Sequence, residues 1–277
     1  MRPALGTACS LDAPLAMILE DYAAGHCDAV DLWLGHAEAF LETHAPGDLK
    51  ELLARHGITA VAASFQGGLL ISQGDARREH WRHFESRLTL LRELGIPVLV
   101  VAGDVFGPLG PEDLSRLSMS LSEAAKRAAD AGVRLALEFD ARASFPNNLQ
   151  SAVAVVEDVG HPALGICLDW FQFAVGPSKP LDLGLLSVKT LAHVQLSDIA
   201  DVPREMASDT DRILPGEGSS PPDDLVRLLT SIGYSGAVAI ELHNPQLWRV
   251  PPRQFGEIAM TALRRVLGQA GMGAGGR

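Results

Sequence analysis

Long apolar runs, a secretory leader, paired cysteines and basic patches are all missing from this chain of 277 residues. No stretch approaches the roughly 20 apolar residues that a membrane helix needs. The opening "MRPALGTACSLDAPLAMILEDYAAGH" has no leader-like apolar core. Secretion and membrane insertion are both disfavoured, and a membrane partner with them. Three cysteines (Cys9, Cys27 and Cys167) lie far apart, match no zinc-binding spacing and leave one over if any two pair. A reducing cytoplasm suits such a set. Lysine and arginine number 23 against 34 acidic residues, for a net charge of −11 and a pI near 5.2. That balance disfavours a nucleic-acid partner, because affinity for a phosphate backbone comes largely from clustered cations. The rest of the composition, 47% hydrophobic and 21% charged, is that of a globular chain with ample material for a core.

What is present is a repeat. Helical patterns stop at Gly25, Gly57, Gly95, Gly132, Gly160 and Gly233 and pass directly into apolar strands. Strands are expected near 3–9, 28–34, 58–65, 97–103, 133–139, 164–170, 191–197 and 236–242. The helix in "PEDLSRLSMSLSEAAKRAADAG" is the clearest: Pro111 suits its first turn, Glu112 and Asp113 its dipole, and Leu114, Leu117, Leu121, Ala125 and Ala128 an apolar stripe. Eight strand–helix units without a break in composition predict an α/β fold, a single (β/α)8 TIM barrel over residues 1–268, with 269–277 a disordered tail. A doubly wound open sheet is the alternative; it lacks its Gly-rich turn, since "ACSLDAPL" follows the first strand.

Barrel chemistry sits at the C-terminal strand ends. There the fifth strand, "VRLALEF", carries Glu138, the sixth, "LGICLDW", carries Asp169, and the eighth, "GAVAIEL", carries Glu241. Residues of the same parity below them are small (Ala136; Gly165 and Cys167; Ala237 and Ala239), as on a face packed inside a barrel. The seventh strand adds Gln195 at the matching level with His193 one layer deeper. Three inward carboxylates on one rim repel one another unless a cation sits among them, so a divalent metal is expected. Any one of these acids taken alone reads better as a solvated residue just past a strand end; the three together read as a metal site.

The segments "ALEF", "CLDWF", "HVQLSD", "DRILPGEG" and "IELHNPQLW" together resemble the xylose isomerase-like TIM-barrel superfamily of sugar-phosphate isomerases and epimerases, which includes inosose isomerases, ketose 3-epimerases and 3-dehydroshikimate dehydratases. The likeness runs from about Cys27 to Leu267, with its specific motifs in the C-terminal half. It implies that Glu138, Asp169 and Glu241 are metal ligands. Alignment on Ser197 and Asp198 makes Gln195 the fourth, through its amide oxygen, where most members have histidine; His193 then packs beneath it. Oxygen donors favour Mg²⁺ or Mn²⁺ over Zn²⁺. The resemblance also sets Arg212, Gln172, His193, Glu217 and Trp170 about the substrate. Gln172 stands where many relatives carry a histidine, and it cannot titrate. Histidines that serve a multi-zinc site elsewhere in the superfamily are absent from "AASFQG" and "LVVAGD".

Two glutamates flanking a metal suit proton transfer beside a carbonyl, through an enediolate. Glu138 and Glu241 are thus the expected catalytic pair. The resulting expectation is a metal-dependent isomerase or epimerase of a keto-sugar or keto-inositol, acting on a small polyhydroxylated carbonyl compound, with a homo-oligomer left open. A dehydratase of the 3-dehydroshikimate type is the runner-up, motivated by Gln195. A non-catalytic sugar-binding barrel is the third reading.

Overall fold

The structure, a computed structural model, describes residues 1–269. Its first half contains β1 (Arg2–Gly6), α1 (Leu15–Ala24), β2 (Ala29–Trp33), α2 (Leu34–Leu41), α3 (Pro46–Arg55), β3 (Thr59–Gln66), α4 (Gly74–Leu94), β4 (Val98–Gly103), α5 (Asp113–Asp130) and β5 (Arg134–Phe139). Then come α6 (Leu149–Val159), β6 (Leu164–Asp169), α7 (Trp170–Val175), β7 (Leu191–Leu196), β8 (Asp198–Ile199), β9 (Arg212–Ile213), α8 (Asp223–Ser231), β10 (Ala237–Ile240), α9 (Pro245–Trp248) and α10 (Pro252–Val266). Eight parallel strands close in the order β1-β10-β7-β6-β5-β4-β3-β2, so the fold is a single (β/α)8 barrel. β8 and β9 form a separate two-stranded antiparallel sheet. Among the described residues no helix is long and apolar enough to cross a membrane.

The described residues divide into two compact units, 62–194 and 1–61 with 195–269, and the boundaries fall inside β3 and β7. In the unit that holds both ends of the chain, Ala4, Ala29 and Ala239 from β1, β2 and β10 form one buried cluster with Val61 against it. Small side chains on three neighbouring strands fill a narrow interior without strain. Outside, Tyr22 of α1 packs on Phe255 of α10, ring centroids 6.1 Å apart. Gly25 serves that helix contact: a Cβ there would meet the backbone nitrogen of Glu257 at 2.9 Å. The left-handed residue at this junction is therefore His26 (φ 63°), whereas Gly57, Gly95, Gly132, Gly160 and Gly233 all take positive φ as the sequence predicts.

In the unit of residues 62–194, β4, β5 and β6 run in register, with Val100 opposite Ala136 and Ala136 opposite Gly165. Val100, Ala136 and Cys167 make the corresponding buried cluster. Gly165 leaves room for Arg134, whose guanidinium reaches the carbonyls of Lys189 and Leu191. Along α5, Leu117, Leu121, Ala125 and Ala128 are buried, but Leu114, expected in the stripe, is exposed. It lies in the first turn of the helix.

Two strand bounds also differ from expectation. β1 stops at Gly6 because Thr7–Ser10 turn as a buried 3₁₀ helix, in which the Thr7 hydroxyl accepts the Trp33 N–H at 2.9 Å. β10 stops at Ile240, so Glu241 stands just past the strand, with its N–H given to Leu196 O at 3.2 Å. The three cysteines are buried and form no disulfide. Of the expected tail, residues 270–277 lie outside the described residues. Gln269 donates its N–H to Arg264 O at 2.7 Å and its side-chain amide to Met1 O at 3.0 Å.

Candidate metal and active site

The end of β6 sets Asp169 by two requirements at once. It is fully buried, and its Oδ1 accepts the Phe171 N–H at 2.8 Å as the N-cap of α7, so strand and helix meet at this residue. Trp170 and Phe173 stack on α7 at 5.1 Å and 14°. Gln172, on the same helix, is buried, and its Oε1 accepts the Ala141 N–H at 2.9 Å, tying down the segment that leaves β5. Glu138 itself, the penultimate residue of β5, is half-buried.

Around β7 and β10 the arrangement is denser. Gln195 has no exposed surface, and its Nε2 donates to Asp31 Oδ2 of β2 at 3.2 Å. Asp31 shares strand parity with the interior residue Ala29, so the Gln195 amide lies on the barrel's inner side. His193 is likewise buried, one step deeper on the same strand. Glu241 is 9% exposed as a side chain and faces two basic side chains: His243 Nε2 at 3.4 Å from Oε1 and Arg212 Nη1 at 4.0 Å from Oε2. Burial alone would raise the Glu241 carboxyl; the hydrogen bond and charge of His243, with the charge of Arg212, reverse this and leave it below the ordinary carboxylate range. Burial in turn would lower His243, and Glu241 overrides it upward.

Arg212 is placed by backbone. It pairs with Ile199 across the small sheet, its carbonyl accepts the Asn244 side-chain amide at 3.0 Å, and its Nε donates to Asp209 at 2.9 Å. The following loop is organised by Asp198, fully buried as the first residue of β8, two residues past the end of β7. Its Oδ1 accepts the N–H groups of Ile199 and Ser220 (2.8 Å each), and its Oδ2 those of Gly216 (3.1 Å) and Gly218 (3.0 Å). Glu217 is exposed and lies 4.0 Å from Arg265.

Glu138, Asp169 and Glu241 come together. Each offers one carboxylate oxygen, and these oxygens lie within 4.8 Å of one another. Asp31 and His243 are the participants that sequence reasoning passed over, whereas the pairing of Asp209 with Arg212 is one that the loop's sequence suggests. For Asp31 a signal existed: "AVDLW" puts an acid of inward parity in the middle of an apolar strand, where it needs a polar partner. His243 stands two residues past Glu241 and thus shares its side, a weaker signal at a strand end.

A family model described as a xylose isomerase-like TIM barrel matches residues 22–265. The chain belongs to that family. Within it, an inosose isomerase of Halalkalibacterium halodurans is 27% identical over 219 residues, 76% of each chain. A 3-dehydroshikimate dehydratase of Pseudomonas putida is 25% identical over 252 residues, 88% of this chain but 38% of that protein. The fold is shared with a solved structure of the IolI protein with a bound zinc atom: TM-score 0.90, 23% identity, 97% of this chain and 99% of that one. Named relatives of this xylose isomerase-like chain are thus isomerases and a dehydratase, with a fructoselysine 3-epimerase of Escherichia coli at 24% identity beside them.

Proposed function

We propose that the chain is a divalent-metal-dependent isomerase or epimerase of a keto-sugar or keto-inositol. One observation carries the reading: three carboxylate oxygens, from Glu138, Asp169 and Glu241, lie within 4.8 Å of one another. Asp169 has no exposed surface and Glu241 little, so water cannot screen their mutual repulsion, and a cation is the counter-charge that suits them. The donors fit a divalent ion: three carboxylates, with Gln195 as a neutral fourth through its amide oxygen. An all-oxygen set favours Mn²⁺ or Mg²⁺. The IolI protein binds zinc; competition between these ions for the metal-stripped chain is the measurement that ranks them.

When bound, the cation polarises the substrate's carbonyl and neighbouring hydroxyl, acidifying the C–H between them. The chain's own groups then move the proton. Glu241, kept ionised by His243 and Arg212, takes the proton from carbon, and Glu138 returns it at the neighbouring carbon or the opposite face. Arg212, fixed by Asp209 and the small sheet, orients a substrate oxygen. The buried His193 fills the layer below Gln195, and Trp170 walls the site beside Asp169. Gln172 serves by holding the segment at Ala141, and Glu217 meets the substrate from the loop that Asp198 fastens.

A second reading, dehydration of 3-dehydroshikimate, is favoured by Gln195 and by the P. putida relative. The test is incubation of the metal-loaded chain with keto-inositols, ketohexoses and 3-dehydroshikimate in D₂O. Deuterium incorporation without loss of water supports the isomerase. A new conjugated chromophore supports the dehydratase, and binding with neither outcome returns the sugar-binding barrel.

A further inference from the structure

We propose that Asp31 is a positioning residue that makes Gln195 an oxygen donor to the metal centre. This rests on the metal-dependent reading above and adds to it a residue outside the expected ligand set. Asp31 is 2% exposed, lies on β2, and meets Gln195 Nε2 at 3.2 Å although 164 residues separate the two in sequence. In the ring, β1 and β10 stand between β2 and β7, so the bond spans the barrel interior rather than joining neighbours in the sheet.

A carboxylate accepts and cannot donate, whereas an amide carries donors on nitrogen and acceptors on oxygen. Turning the Gln195 amide over would set Oε1 against Asp31 Oδ2 with no proton between them, in a site where both residues are buried. Asp31 therefore selects one of the two amide faces. Nitrogen goes to Asp31, and oxygen turns the other way. The strand carrying Gln195 is hydrogen-bonded to β10, which leads into Glu241, so the amide and that carboxylate rise from neighbouring strands. A neutral glutamine is a useful ligand here only in the orientation that Asp31 imposes. The arrangement is the amide counterpart of a carboxylate that orients a metal-binding imidazole.

The test is calorimetric titration of Mn²⁺ into the metal-stripped full chain. Asp31→Asn keeps size and shape but offers both donor and acceptor, so Gln195 can face it either way round. We expect the Mn²⁺ Kd to rise on the order of 10- to 100-fold. In a Gln195→Ala background the same Asp31→Asn change should move Kd less than about twofold, since its route of action is gone. Equal losses in both backgrounds would show the Asp31 charge acting on the cation directly and would overturn the proposal. Unchanged affinity in Asp31→Asn overturns it too, while leaving the metal centre standing. A wild-type chain that takes up no Mn²⁺ overturns both. Should the Asp31 variant fail to fold, NMR of the wild type decides: the Gln195 side-chain amide protons should exchange slowly with and without Mg²⁺. Fast exchange in either state overturns the proposal.

Discussion

Arg212 Nη1 stands 4.0 Å from Glu241 Oε2, and both side chains are nearly sealed from water at 2% and 9% exposure. Neither charge is tolerable there alone. Arg212→Ala leaves Glu241 with only His243 as a cationic neighbour and leaves Asp209 without its guanidinium. Urea unfolding of the metal-free variant should show a loss of about 3 kcal/mol, the scale for breaking one partner out of a buried pair. Arg212→Lys keeps the charge but not the fork that reaches both carboxylates, and should lose less stability while still losing turnover. Equal stability of the alanine variant and the wild type would contradict this account.

Asp169 holds two roles that can be separated by choice of substitution. Asparagine keeps an oxygen to cap α7 but loses the charge, whereas alanine loses both. Asp169→Asn should thus fold with near-normal stability and bind Mn²⁺ on the order of 100-fold more weakly. Asp169→Ala should add a cap penalty of about 1 kcal/mol. Metal content by mass spectrometry and thermal unfolding, read together, distinguish the two effects. Stoichiometric metal in either variant would remove Asp169 from the centre.

The loop that follows the seventh barrel strand hangs on Asp198, whose two oxygens accept four backbone N–H groups. Those donors have no replacement acceptor if the carboxylate goes. Asp198→Ala should cost about 3 kcal/mol and, more tellingly, should speed amide hydrogen exchange at residues 216–220 while α4 and α5 stay protected. Unchanged protection of this segment would show that something else holds it.

Much of this was legible in advance. Strand positions came from apolar runs that follow a helix-ending glycine, and Glu138, Asp169 and Glu241 from parity at the strand ends, because period two and the barrel's inward face are properties of local sequence. Gly25 ends α1 as expected, but without a left-handed turn; it also permits the close approach of α1 to α10, a long-range fact that no local window displays. Leu114 misled because helical spacing alone does not say which turns of a stripe find a partner. The partners of Glu241 were hidden for a similar reason: Arg212 reaches it through a two-stranded sheet made of residues too few to show any period. The sheet exists because Asp198 fixes both flanks, and no window of sequence displays four backbone donors meeting one carboxylate.

His36 supplies a pH dependence away from the centre. It is buried, with Nδ1 3.2 Å from Thr7 Oγ1 and Nε2 3.1 Å from Leu11 O, and burial holds its pKa below the ordinary value of 6.5 despite the Leu11 contact. A histidine depressed in the folded state takes up protons more readily when unfolded, so its contribution is complete above pH 6.5 and is lost as pH falls toward the folded pKa. The wild type should lose stability on moving from pH 7 to pH 5.5 more steeply than His36→Asn, measured by urea unfolding at each pH. Parallel slopes would show that His36 does not carry the difference.

Gln195 and His193 occupy successive inward-parity positions of β7, and the choice between them as metal donor rests on depth. A two-residue step along a strand is about 7 Å, so a cation held by carboxylates at the strand ends is within reach of Gln195 and not of the histidine below it. Asp31 adds a reason, since its bond to Nε2 already turns the Gln195 amide. Gln195→His should therefore keep a bound metal, with Asp31 taking the imidazole's other N–H, and should shift preference toward Zn²⁺, which imidazole suits better than an amide does. His193→Gln should leave metal content unchanged and lower the melting temperature, because a buried layer is disturbed. Metal analysis after loading with equal Mn²⁺ and Zn²⁺, with thermal unfolding of both variants, makes the comparison. Loss of metal in the His193 variant alone would reverse the two assignments and would move the centre one layer down the barrel.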